Sequence, residues 1–233
     1  MLKNYAMSNR PRIFKHGHNF YLLIALLIQI TIYPFFSNEE TRLMFSDLFS
    51  TVILIAGIYA IDLKKNQKII AISIGSFAFL GIWYSIIIEE GLYLAIFSII
   101  CQIAFYIYVI IVILKNLIKA KDVNANIMCG AIVVYLLIGM SFALLYSLIE
   151  ATTQGSFCIN CPESSAIKLT IFDFIYYSFT TLTTTGYGDL TAVSLQARAA
   201  SNLEQITGVM YVAIIISRFV SIYILTISNK KSK

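Results

Sequence analysis

The stretch that decides the fold runs from residue 167 to residue 189, IKLTIFDFIYYSFTTLTTTGYGD. It opens as an apolar run, but Asp173 lies near its start, and Thr180, Thr181, Thr183, Thr184 and Thr185 crowd its end. A bilayer core about 30 Å thick asks a spanning helix for about 20 apolar residues. This run cannot supply them, and only about a dozen polar or small residues separate it from the next apolar segment. The spacing predicts a short helix that enters the membrane and returns. Thr170-x-x-Asp173 is a capping-box pattern at its start, where the helix dipole also favours an anion.

On both sides of this segment the chain is written for lipid. Of its 233 residues 59% are hydrophobic and only 12% charged, about half the charged share of a soluble domain. A mean hydropathy of +0.81 excludes disorder, a coiled coil and a basic nucleic-acid-binding domain. Three prolines and 11 glycines exclude a collagen-like or linker-dominated chain. Segments 20–37, 48–61, 69–88, 91–114 and 127–149 carry no charge, and 43–46 extends the second past Asp47. Segment 199–227 is long enough as well, although it contains Glu204 and Arg218. Helices satisfy their own backbone in lipid, so the expected fold is an all-α membrane protein. It has six transmembrane helices plus the re-entrant helix and its loop.

Charge orients the layout. With the N-terminus inside, 13 of the 17 basic residues fall in inner segments, and only Arg42, Lys168 and Arg198 fall outside. The positive-inside rule then puts both termini in the cytoplasm of a multi-pass plasma-membrane protein. The net charge of +5 reads as a topology signal, with no nucleic-acid partner implied. No small-residue cleavage site follows the first apolar run, so no cleavable signal peptide is expected. The organisation reads as an N-terminal segment 1–18, a four-helix unit 19–114, a basic linker 115–126 and a second unit 127–229. No repeat and no soluble ligand-binding domain are expected.

The run Thr183-Thr184-Thr185-Gly186-Tyr187-Gly188-Asp189, set between two apolar helices, resembles the signature of the tetrameric potassium channel family. The resemblance covers residues 127–227, in the order outer helix, pore helix, filter, inner helix. The six-helix layout resembles the wider tetrameric cation-channel superfamily. Thr185 stands where Val or Ile is commoner, which leaves the backbone chemistry unchanged. An ion that sheds its water needs oxygens aimed at one axis, and consecutive carbonyls converge only on alternating right- and left-handed backbone. Gly186 and Gly188 reach the left-handed region at little steric cost. The resemblance implies a homotetramer among membrane lipids, with K+ as permeant ion and no cofactor. It implies K+ sites at the carbonyls of Thr184, Thr185, Gly186 and Tyr187, with the Thr184 hydroxyl below and Gly188 completing the loop. Tyr176 and Tyr177 would brace the filter from behind. Asp189 would lie at the outer mouth or bond behind the filter, unless it is an exposed loop residue. The pore helix would turn its partly negative C-terminus toward a cation in the cavity below.

Other positions stay open. Gly208, alone or with Ala213, fits a gating hinge or close helix packing. Val212, Ile216 and Val220 recur every fourth residue, as a cavity lining or any buried helix face would. Arg218 lies about 200° around the helix from Ile216, away from such a lining; it would snorkel, or contact the linker near Asp122 and so bear on gating. Cys101 and Cys129 read as apolar filler. Cys158-Ile-Asn-Cys161 reads as a disulfide within or between subunits, or as free thiols, and it also suggests a rival function, a membrane thiol–disulfide oxidoreductase. That enzyme needs a second redox pair or a quinone site on the same face, and the sequence offers no such partner. A weakly selective cation channel is a further alternative, against which the intact Gly-Tyr-Gly argues. His16 and His18 make a poor metal site and read as juxtamembrane surface. Steep voltage gating takes about 3–4 charges per subunit in the fourth helix. Segment 91–114 has none, so the four-helix unit resembles a voltage sensor without gating charges.

Overall fold

The computed structural model describes residues 17–36, 38–60, 65–87, 92–159 and 169–231. Its helices are α1 (His18–Thr31), α2 (Glu39–Ala60), α3 (Lys65–Ile87), α4 (Leu92–Lys119), α5 (Ala125–Thr152), α6 (Ile171–Leu182) and α7 (Leu195–Lys231). Two short strands, β1 (Phe157–Ile159) and β2 (Leu190–Ala192), flank α6.

Among the described residues five helices, α2 to α5 and α7, are long and apolar enough to cross a membrane. The first is not. Segment 20–37 is expected to span, but α1 stops at Thr31 after 14 residues, about 21 Å. The chain then makes a 3-10 turn over Tyr33–Phe35. Pro34 explains the stop, because it has no N–H to continue the i→i−4 ladder. At the other end of the four-helix unit α4 continues to Lys119, five residues into the segment read as linker. Helix α5 starts cleanly because the Asn124 side chain accepts the Ile127 N–H at 3.0 Å.

The four-helix unit closes around α4. Phe105 is fully buried between Gly57 of α2 and Gly75 of α3; a Cβ on either would stand 3.0 to 3.3 Å from its ring. Helices α1 and α4 also pack along α5, so the two units share one core. At the first of these contacts Asn19 Nδ2 donates to the Asn126 carbonyl at 3.0 Å.

The strands are absent from the sequence reading, which weighed only helices. They pair antiparallel with Cys158 opposite Thr191. Residue 159 and residue 190 are therefore neighbours. Between them α6 has 12 residues, about 18 Å, too short to cross a bilayer. Its first turn is held by Asp173, whose carboxylate accepts the Thr170 N–H at 2.7 Å and the Thr170 hydroxyl at 2.8 Å.

Candidate functional site

The loop after α6 folds back onto the helix end. Amides of Thr183, Thr184, Thr185 and Gly186 donate to the carbonyls of Phe179, Thr181, Thr180 and Thr180 at 2.8 to 3.1 Å. The last carbonyls of a helix have no partner within it, and this return satisfies them. The Tyr135 hydroxyl takes the Leu182 carbonyl at 3.4 Å.

The backbone then alternates. Thr184, Gly186 and Gly188 have φ of 59°, 53° and 82°, while Thr185 and Tyr187 stay on the ordinary side. The sequence points to the two glycines but not to Thr184. A non-glycine residue in this region carries strain of about 1–3 kcal/mol, here held by the Thr184 and Thr185 amide bonds. Among the described residues none of the carbonyls of Thr184, Thr185, Gly186 and Tyr187 accepts a hydrogen bond. Four successive oxygens are thus left for another donor or cation. No side chain crowds Gly186 or Gly188, so backbone conformation alone calls for glycine there.

The two tyrosines of α6 part ways, as neighbours 100° apart on a helix must. Tyr176 lies parallel to Tyr187, ring centroids 6.3 Å apart, and its hydroxyl donates to Asp189 Oδ2 at 2.8 Å. That bond to the carboxylate pushes the Tyr176 phenol up to about 12. Asp189 is therefore tied behind the loop within the chain. Tyr177 turns into the core instead. Its ring meets Tyr146 at 5.1 Å and Phe157 at 5.3 Å, and its hydroxyl bonds Ser201 at 2.8 Å. It braces α6 against α5 and α7 and does not stack on Tyr187.

Behind this cluster lies Glu204 of α7, 0% exposed. The Tyr146 hydroxyl of α5 donates to its Oε2 at 2.5 Å. Ser178 Oγ of α6 lies 2.5 Å from its Oε1 and also reaches the Gly139 carbonyl at 2.7 Å. One carboxyl thereby joins all three helices of the second unit. The sequence reading noted Glu204 only as a charge within a span. The signal was available, since an acid inside a membrane helix is costly and needs a named partner.

Gly208 sits under the loop. A Cβ there would collide with the Leu182 carbonyl oxygen, so α7 passes α6 at a distance only glycine allows. Val212, Ala213, Ile216 and Val220 are exposed in the single chain. Arg218 faces the other way. Its guanidinium donates to the carbonyls of Ile118 at 2.6 Å and Ala120 at 3.0 Å, and Asp122 is not its partner. The orphan carbonyls at the end of α4 and their partial negative charge explain the choice. Cys158 is disulfide-bonded; Cys161 and His16 lie outside the described residues. Cys101 and Cys129 are free and half-buried.

No curated protein and no solved structure matches the chain. Residues 127–224, from α5 through most of α7, do match a protein-family model described as an ion channel; with five helices among the described residues fit to span a membrane, this supports a multi-pass membrane protein.

Proposed function

We propose that this chain forms a potassium-selective channel by closing four copies around the 184–188 loop. The observation that carries the reading is the alternation of backbone hand at Thr184, Gly186 and Gly188, which leaves the carbonyls of Thr184 to Tyr187 without partners among the described residues. Stacked in four-fold rings, such carbonyls replace the water shell of K+. Helix α6 acts as the pore helix and the 183–189 loop as the filter, with Tyr176 and Asp189 bracing it from the side.

Assembly follows from what one copy leaves uncovered. Only 11% of the apolar window of α7 is buried, against 56% for α5, and residues 183–189 are exposed. A closed ring of identical copies covers such faces symmetrically. In that ring Val212, Ile216 and Val220 line an apolar cavity below the filter, and Arg218 stays outside it on the end of α4. The distribution of basic residues supports a plasma-membrane orientation with both termini on the cytoplasmic side.

The test is flux into liposomes loaded with potassium or sodium, comparing wild type with Gly186→Ala. The substitution puts a Cβ on backbone at φ 53° and misdirects one carbonyl ring. Loss of potassium preference or of current is expected. Unchanged preference in this variant would remove the basis of the assignment.

A further inference from the structure

Three short oxygen–oxygen contacts meet around Glu204. The Tyr146 hydroxyl donates to Oε2 at 2.5 Å, Ser178 Oγ stands 2.5 Å from Oε1, and the same Oγ stands 2.7 Å from the Gly139 carbonyl oxygen. A serine hydroxyl carries one proton and a carbonyl carries none, so Ser178 donates once. With Glu204 as a carboxylate, two protons serve three contacts, and Ser178 leaves one neighbouring oxygen facing its lone pairs. With Glu204 as the neutral acid, three protons serve three contacts. Tyr146 donates to Oε2, Oε1 donates to Ser178, and Ser178 donates to Gly139.

The surroundings point the same way. Glu204 is fully buried, and an ionised carboxylate inside a membrane protein needs a cation to offset its lost hydration. No lysine, arginine or histidine of the described residues is among its partners. The titratable groups that face it from α5 and α6 are the phenols of Tyr135, Tyr146 and Tyr177. The acids of those helices stand at their ends, where Glu150 accepts the Gly155 and Phe157 amides and Asp173 accepts Thr170. On α7 itself Arg198 donates to the Ala192 carbonyl, Tyr211 to the Ala131 carbonyl and Arg218 to the end of α4.

The place of this cluster ties it to the loop. Ser178 lies two residues before Thr180, whose carbonyl receives the Thr185 and Gly186 amides at 2.8 and 3.1 Å. We propose that Glu204 is a positioning residue for the 184–188 loop that works only as the neutral acid, its proton closing a relay from α7 through Ser178 of α6 to Gly139 of α5. When that proton leaves, Ser178 turns its own proton to the carboxylate, the bond to Gly139 breaks, and α6 loosens from α5 just before the carbonyl that holds the loop. The relay is intact at low pH and lost as pH rises. Its effect on current rests on the channel reading above; the protonation of Glu204 does not.

Infrared spectra of the full-length protein in nanodiscs, in H₂O and D₂O at neutral pH, test the proton. Wild type minus Glu204→Gln should show the C=O stretch of a protonated carboxylic acid, shifted in D₂O, and no carboxylate stretches. Carboxylate stretches in its place would overturn the proposal. Should Glu204→Gln not give the wild-type elution profile, Ser178→Ala replaces it. The acid band is then expected to move, because its O–H loses its acceptor, and an unmoved spectrum would overturn the relay. Potassium current in planar bilayers is then followed from neutral pH up to about 10, the ordinary phenol range. Wild-type current should fall several-fold and recover on return to neutral, while Glu204→Gln, whose amide N–H₂ donates at every pH, should stay level. Identical profiles would overturn the positioning role. Absence of selective current from either protein at every pH would fail the channel reading instead, and the infrared difference would still decide for or against the proton.

Discussion

Glu204→Ala tests the junction of α5, α6 and α7 most sharply. The substitution deletes the carboxyl that Tyr146 and Ser178 share. Tyr146 is 0% exposed, so its hydroxyl is left buried without a partner, at a cost of about 1–3 kcal/mol. Ser178 keeps the Gly139 carbonyl and loses less. The void left by the four missing heavy atoms adds about 1 kcal/mol at the cost per unit of residual cavity volume seen for buried large-to-small substitutions. The sum is about 2–4 kcal/mol per subunit, which lowers the unfolding midpoint by roughly 5–15 °C for a chain of this size. Glu204→Gln separates this chemistry from bulk. Its amide oxygen still accepts from Tyr146, and its N–H₂ can donate to Ser178 Oγ, so its midpoint should stay close to wild type. Scanning calorimetry of the purified protein reads the difference, and potassium-over-sodium flux reads its effect on the loop that α6 carries. Equal midpoints for the Ala, Gln and wild-type proteins would refute the reasoning, because Glu204 would then hold nothing together.

Gly208→Ala drives a Cβ into the Leu182 carbonyl, so it should reduce both stability and potassium current even at voltages and lipid compositions that hold the pore open. A variant that changes only open probability would mark Gly208 as a hinge instead. Arg218→Gln loses charged hydrogen bonds to Ile118 and Ala120 in a partly exposed setting, worth about 1 kcal/mol; amide exchange at residues 120–124 should quicken, and unchanged exchange would contradict the contact. Replacing Cys158 and Cys161 by Ser should leave conduction intact, with at most a less stable assembly; abolished flux from an intact assembly would show that the pair serves permeation. Open probability should depend only weakly on voltage, since the basic residues of α4 are confined to Lys115 and Lys119 near its end; a steep sigmoid over ±100 mV in planar bilayers would count against this.

What the sequence disclosed and what it withheld have physical causes. Apolar length marks a membrane helix directly, so five helices were legible to within a few residues. The same measure overran α1, because an uncharged run continues through Tyr33, Pro34 and Phe35 while Pro34 ends the ladder. Glycine announces left-handed backbone, so Gly186 and Gly188 were legible; Thr184 was not, because its conformation is imposed by amides bonding back to α6. The parting of Tyr176 and Tyr177 follows from helix pitch, but which of them faces the loop depends on Asp189 and Ser201, distant in sequence. Glu204 was seen only as a charged residue in an apolar run. Its meaning is tertiary, since Tyr146, Ser178 and Glu204 stand on three different helices.

The central proposal, selective potassium conduction through the 184–188 loop, is tested most directly by one reversal potential. The reconstituted wild-type protein is placed between equal concentrations of potassium and sodium in a planar bilayer. A reversal potential displaced toward potassium by well over about 59 mV, the Nernst value for a tenfold preference of a monovalent ion, is expected. A reversal near zero, with measurable current, would contradict it.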